Sequence, residues 1–125
     1  MRYVFTYTGV RVRDLPKALR FYTNAMGMKK IGGGTMPHRG KYVHLQGPGS
    51  DQRLELNWYP RGTRFYTPYR KGEELDHLAF RVRDVEAAFE ELVANGARPA
   101  VPPARSEGTE VYVKDLDGIW IELLG

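Results

Sequence analysis

Apolar and polar residues alternate from 3 to 12, a stretch rich in Val, Tyr and Thr, and this period of two predicts a strand. Asp14 then stands where a helix N-cap belongs. Leu15, Ala18, Leu19, Tyr22 and Met26 follow at helical spacing until Gly27 stops the helix. Three short strands are expected next, at about 28–33, 41–46 and 53–58, punctuated by Gly32-Gly33-Gly34 and Gly47-Pro48-Gly49-Ser50. The same order then returns. Asp84 caps a stripe of Val85, Ala88, Phe89 and Leu92 that Gly96 ends. Strands follow at about 97–101, 109–114 and 119–124, broken by Pro102-Pro103 and Asp115-Leu116-Asp117-Gly118.

The chain is therefore β-α-β-β-β written twice, as 1–58 and 75–125. The linker of 59–74 between them carries Pro60, Gly62, Pro68 and Gly72, which argue against regular structure there. The repeat is also literal. Tyr7-Thr8-Gly9-Val10-Arg11-Val12-Arg13-Asp14-Leu15 comes back as His77-Leu78-Ala79-Phe80-Arg81-Val82-Arg83-Asp84-Val85, and Leu54-Glu55-Leu56 is echoed by Ile121-Glu122-Leu123. The expected fold is α+β, a single domain over 1–125. Its two tandem modules would form a cupped mixed sheet with the helices on the outer face.

Alternation also sorts the faces. Val10, Val12, Leu54, Leu56 and Trp58 point toward the helix, as do Leu78, Phe80 and Val82. Tyr7, Gly9, Arg11, Glu55 and Asn57 fall on the other face, with His77, Ala79 and Arg81 at the equivalent positions. If residues 48–51 close a hairpin with 47 opposite 52, His44 lies across from Glu55 on that polar face. A polar sheet face ordinarily meets water. Here it would gather Tyr7, Glu55, His77 and Glu122, three of which are good metal-ligand types.

Composition narrows the function classes. The chain has 125 residues, no cysteine and a formal charge of +4 spread along it. That rules out disulfides and thiolate metal sites, and a reducing cytoplasm fits. No stretch approaches the roughly 18 uninterrupted apolar residues of a membrane span, and residues 1–5 lack the apolar run of a secretory signal. The densest basic stretch, Arg61, Arg64, Arg70 and Lys71, is interleaved with Tyr59, Phe65, Tyr66 and Tyr69. No nucleic-acid motif accompanies it, so an anionic small substrate or a solvated loop is the expected reading and nucleic acid is not.

Taken together, these residues resemble the vicinal oxygen chelate superfamily, which includes glyoxalase I, methylmalonyl-CoA epimerase, extradiol dioxygenases and fosfomycin-resistance enzymes. The resemblance covers almost the whole chain and is nearest to the glyoxalase I-like branch. It is carried by Val10-Arg11-Val12-Arg13-Asp14-Leu15 through Phe21-Tyr22-Thr23 to Met26-Gly27-Met28, by Leu54-Glu55-Leu56, by Asp76-His77-Leu78-Ala79, and by Asp117-Gly118 leading to Ile121-Glu122-Leu123. It implies one divalent metal ion per site (Zn, Ni, Mn, Co or Fe) with ligands at Glu55, His77 and Glu122. It also implies a proton-transfer role for Glu122, an anion-binding arginine at Arg11, and a homodimer in which a site draws on both subunits. Tyr7 departs from the pattern, because the family's first ligand is His or Gln. A phenol has an ordinary pKa near 10 and needs the metal itself to ionise it. Tyr7 is then a weak ligand, a hydrogen-bond donor at the site, or a placeholder beside an open position. His44 is the candidate substitute ligand, or the partner that orients Glu55.

Blander readings stand beside these. One histidine at a strand start is ordinarily structural, and strand arginines such as Arg11 and Arg81 ordinarily meet water or a carboxylate. Two glutamates at matching repeat positions shift the balance, because burying a lone carboxylate is costly. Asn57, Trp58, Tyr66 and Tyr69 line a pocket or clasp a partner subunit, and His38 in its Gly/Pro-flanked loop reads as structural. The leading expectation is a glyoxalase I-like lyase or isomerase that stabilises an enediolate or enolate of a small α-oxo-derived substrate, with Arg11, Arg81 and Asn57 as substrate-binding candidates. The alternatives are a metal-dependent dioxygenase or thiol-addition enzyme, and a non-catalytic binder of small molecules such as antibiotics.

Overall fold

The computed structural model describes residues 1–105, 110–116 and 118–125. The expected Asp117 of the Asp117-Gly118 turn and residue 109 of the seventh strand lie outside the described residues. Among the described residues, eight strands and two α-helices follow one another as β1 (Val4–Arg11), α1 (Leu15–Arg20), β2 (Lys29–Thr35), β3 (Lys41–Gln46), β4 (Arg53–Trp58), β5 (Leu75–Arg81), α2 (Val85–Ala94), β6 (Arg98–Val101), β7 (Val111–Lys114) and β8 (Trp120–Leu124). The fold is α+β, and each half repeats β-α-β-β-β. No helix among the described residues is long and apolar enough to cross a membrane.

Contacts divide the chain into two compact units, Thr8–Asp76 and Met1–Tyr7 with His77–Gly125. In the first, the strand order is β2-β3-β4-β1, with β1 parallel to β4 and the other pairs antiparallel. In the second, β5 runs parallel to β8, and β8-β7-β6 continue antiparallel. The registers coincide. Gly9 pairs with Glu55 as Ala79 pairs with Glu122, and His44 opposes Glu55 as Tyr112 opposes Glu122.

Both helices start on the expected caps. The Asp14 carboxylate accepts from the Lys17 N–H and that of Asp84 from the Ala87 N–H, each at 3.0 Å, satisfying an otherwise unpaired first-turn donor. The first helix differs from its expected uniform run to Gly27. Phe21–Ala25 widens into a π-turn, in which the Met26 N–H reaches the Phe21 carbonyl at 3.2 Å. Thr23 Oγ1 also donates to the Leu19 carbonyl at 2.7 Å, and such back-bonding competes with the regular i to i−4 ladder.

In the Thr8–Asp76 unit, buried Val43, Leu45 and Leu56 pack with Val10, Val12, Leu15, Leu19 and Tyr22. In the other, Val82, Ala88, Val111 and Leu123 pack with Tyr3, Val85, Phe89, Leu92 and Ile121. Both clusters lie on the apolar face that the alternation predicted. Segment 59–74 contains turns and neither helix nor strand, as its prolines and glycines foretold.

Two stability predictions arise here. A Cβ placed on Gly33 would sit 2.7 Å from the Tyr42 carbonyl oxygen, where backbone must move. Gly33→Ala is therefore expected to cost about 1–3 kcal/mol in urea unfolding, and an unchanged midpoint would refute this. The second concerns the Tyr3 phenol, which donates to Glu91 at 2.8 Å. Its pKa is pushed from 10.0 up to about 12, first by burial, then by that hydrogen bond and the carboxylate's charge. A raised folded-state value favours the protonated form. This stabilisation is complete below pH 10 and is lost as pH rises toward 12. Tyr3→Phe should flatten the stability profile in that window, and an identical alkaline slope would show that Tyr3 contributes nothing.

Candidate functional site

The Met1–Tyr7/His77–Gly125 unit buries a cluster of three polar side chains. Tyr7 and His77 stand at the same repeat position, and Glu122 is at the middle of β8 opposite Ala79. They are 5%, 2% and 7% exposed, so their polar atoms must satisfy one another. The Tyr7 hydroxyl donates to Glu122 Oε2 at 2.5 Å. His77 Nε2 lies 3.0 Å from the same oxygen and 3.1 Å from the phenol oxygen. The phenol's one proton is already given to Glu122, so the arrangement requires Nε2 to carry a hydrogen of its own. Aromatic edges close around the imidazole: Tyr7 at 5.3 Å, and Tyr112, backed by Trp120, at 5.7 Å between centroids. Fully buried Ala79 keeps the floor small.

The Thr8–Asp76 unit holds the equivalent glutamate in a different setting. Glu55 Oε2 lies 2.5 Å from His44 Nε2, and Glu55 Oε1 accepts from Asn57 Nδ2 at 2.6 Å. The predicted hairpin register thus brings His44 and Glu55 together. Asn57 Oδ1 is buried with no hydrogen-bond partner among the described residues, a state that costs about 1–3 kcal/mol for a neutral acceptor.

Do these donors suit a divalent metal? Among the described residues no three His, Asp or Glu side chains form a ligand cluster. Each unit offers one histidine–glutamate pair, completed by a phenol in one and an amide in the other. Two ligands about 2.1 Å from a shared ion and roughly at right angles stand about 3 Å apart. His77 Nε2 and Glu122 Oε2 are 3.0 Å apart in a hydrogen bond, so this pair could share an ion only once Nε2 gives up its hydrogen, and the mixed N/O chemistry would then suit Zn, Ni, Mn, Co or Fe. The Tyr7–Glu122 and His44–Glu55 separations of 2.5 Å are too short for it and belong to hydrogen bonds. Tyr7 is thus placed as a donor that holds Glu122.

The arginines are less free than the alternation suggested. Arg11 donates to the Glu73 carbonyl at 2.6 Å and its Nε lies 3.9 Å from Asp76. Arg81 donates to the Gly125 carbonyl at 2.7 Å, which ties the segment after β8 to β5. His38 accepts from the Gly40 N–H at 3.1 Å and packs edge-on against Phe65, in keeping with a structural role. Tyr112 was not singled out from sequence. Its signal was available, because transferring the His44–Glu55 register onto the second repeat puts residue 112 opposite Glu122.

Comparison with known proteins agrees with the topology. The family model of the Glyoxalase/Bleomycin resistance protein/Dioxygenase superfamily matches residues 4–123. Over 94% of its length the chain is 30% identical to a probable lactoylglutathione lyase of Vibrio parahaemolyticus, covering 87% of that protein, and equally to one of Synechocystis sp., covering 92%. Methylmalonyl-CoA epimerase of Streptomyces coelicolor, solved with 2-nitronate-propionyl-CoA, superposes with a TM-score of 0.74 at 20% identity, covering 98% of this chain and 97% of that one. With the repeat, the paired strand registers and a family match that runs nearly end to end, the chain belongs to the glyoxalase/bleomycin resistance/dioxygenase superfamily.

Proposed function

We propose that the chain is a divalent-metal-dependent lyase or isomerase of the glyoxalase I kind, acting on a small α-oxo-derived substrate. The observation that carries this reading is the buried Tyr7–His77–Glu122 cluster, which sets an imidazole nitrogen 3.0 Å from a carboxylate oxygen. The names of the relatives at 30% identity support the same class. Glu55, His77 and Glu122 are the proposed ligands, and His44 must release Glu55 or replace it. A bound ion would supply Lewis-acid stabilisation of charge developing on a substrate oxygen.

The chain's own residues supply the rest. Glu122 takes the proton from the carbon beside a carbonyl and returns it to the neighbouring position. The Tyr7 hydroxyl fixes the carboxylate's orientation, and the surrounding rings keep water from it. Arg11, steadied by Glu73 and Asp76, orients an anionic part of the substrate, with Asn57 beside it on the same strand pair. We also propose a homodimer, as the family resemblance implies, and sedimentation at single-chain mass would reject it.

Elemental analysis of purified protein tests the metal. The wild type is expected to hold near-stoichiometric transition metal that His77→Ala and Glu122→Ala lose and Tyr7→Phe keeps. The loaded protein is expected to turn over the hemithioacetal of methylglyoxal and glutathione, or to epimerise methylmalonyl-CoA. Protein that stays empty after reconstitution with Zn, Ni, Mn, Co and Fe, and that transforms neither compound, ends the reading.

A further inference from the structure

A cavity of about 460 Å³ opens within the Thr8–Asp76 unit, where the ends of β1 and β4 meet segment 59–74. Its volume is in the range of small-ligand sites. Arg11, Arg13 and Arg61 line it together with Trp58, Tyr66 and Tyr69, and no aspartate or glutamate is among its lining residues. Arg11 is engaged with the 73–76 segment, but Arg13 and Arg61 are exposed and form no ion pair among the described residues. The Arg13 guanidinium lies 4.7 Å over the Tyr69 ring.

The wall is built rather than loose. Phe65 packs against His38 and Tyr59, with ring centroids 4.9 and 6.2 Å away. The Tyr59 hydroxyl donates to Asp76 at 2.8 Å, and that of Tyr69 to Glu74 at 3.1 Å. The Gly72 N–H donates to the same Glu74 oxygen and helps to hold that carboxyl below its ordinary range. Segment 59–74 is therefore tied down near both ends, so the rings of Tyr59, Phe65 and Tyr69 are placed before any ligand arrives.

Arg13 and Arg61, with Arg11 partly offset by Asp76, leave the wall cationic, which disfavours cations and calls for an anion. Four large rings in the same wall, Trp58, Tyr59, Tyr66 and Tyr69, favour a flat apolar body over a fully hydrated ion. We propose that this cavity binds an aromatic carboxylate, with the carboxylate toward Arg13 and Arg61 and the ring among Trp58, Tyr66 and Tyr69. The proposal rests on the functional reading above in so far as it names the substrate class that Arg11 would help to hold.

Calorimetric titration of chelator-treated, metal-free full-length protein tests it. The probes are 1-naphthoate, 1-naphthylmethylammonium (the same rings with opposite charge) and propionate (the same charge without rings). Naphthoate is expected to bind saturably, and each of the other two at least about 10-fold more weakly. Arg13→Ala combined with Arg61→Ala should weaken naphthoate by about 10-fold or more, while exposed Arg83→Ala in the other unit leaves it unchanged. Circular dichroism establishes that each variant is folded. No naphthoate binding up to millimolar concentration, equal binding of the cation or of propionate, or unchanged binding by the folded double variant overturns the proposal. Because no metal is present, failure of the metal reading leaves this result intact, and failure here leaves the metal content intact.

Discussion

Glutamine in place of Glu122 is expected to lower kcat by about 10²–10⁴-fold, the usual weight of a positioned acid–base group, while the protein stays folded. The amide has the carboxylate's shape and still offers an oxygen to the Tyr7 hydroxyl, so the buried cluster keeps its packing. What it lacks is the ability to take a proton from carbon. Alanine is the less informative change. It would remove from a buried cluster the carboxylate that both Tyr7 and His77 contact, so lost activity would be mixed with lost fold. The measurement is kcat on the hemithioacetal together with metal content and circular dichroism. A folded, metal-loaded Glu122→Gln with wild-type turnover removes Glu122 from the chemistry.

The second large effect is on stability. Leu56→Ala should cost about 2–5 kcal/mol, because a fully buried leucine leaves a cavity that its neighbours only partly fill. Leu56 is paired with Val10 on one side and Val43 on the other, and it packs in the cluster with Leu15, Leu19 and Tyr22. Glu55 and Asn57 precede and follow it on β4 but point to the opposite face. The folded fraction should therefore keep its metal content and its naphthoate affinity. Urea unfolding measures the loss, and a change below about 1 kcal/mol would show that this cluster is not close-packed.

Much of this could be seen before any coordinates. The period-two and helical stripes put Val10, Leu56, Val82 and Ala88 in the cores, and Asp14 and Asp84 at their caps, because both signals are local. The turn length at 48–51 was enough to set His44 against Glu55. The π-turn at Phe21–Ala25 was not visible, because the apolar stripe barely changes when one residue is added to a helical turn. Nor was the use of the Tyr7 phenol. Residue type makes it a poor ligand, but only side-chain placement shows its proton committed to Glu122. Arg11 and Arg81 illustrate the same limit: alternation gives the face, and the carbonyls of Glu73 and Gly125 decide what the guanidinium groups do there.

The unit boundary inside β1 has a consequence for how the chain is made. Thr8–Asp76 is contiguous, so it can fold as soon as it leaves the ribosome, in keeping with the tendency of domains to fold as units during synthesis. Residues 1–7 precede it in the chain and yet must wait. Phe5 packs against Phe80 and Tyr7 bonds to Glu122, and those partners are made only after the whole Thr8–Asp76 unit. Residues 1–7 thus wait for the second unit to be made, and the polar cluster closes only once β8 is released.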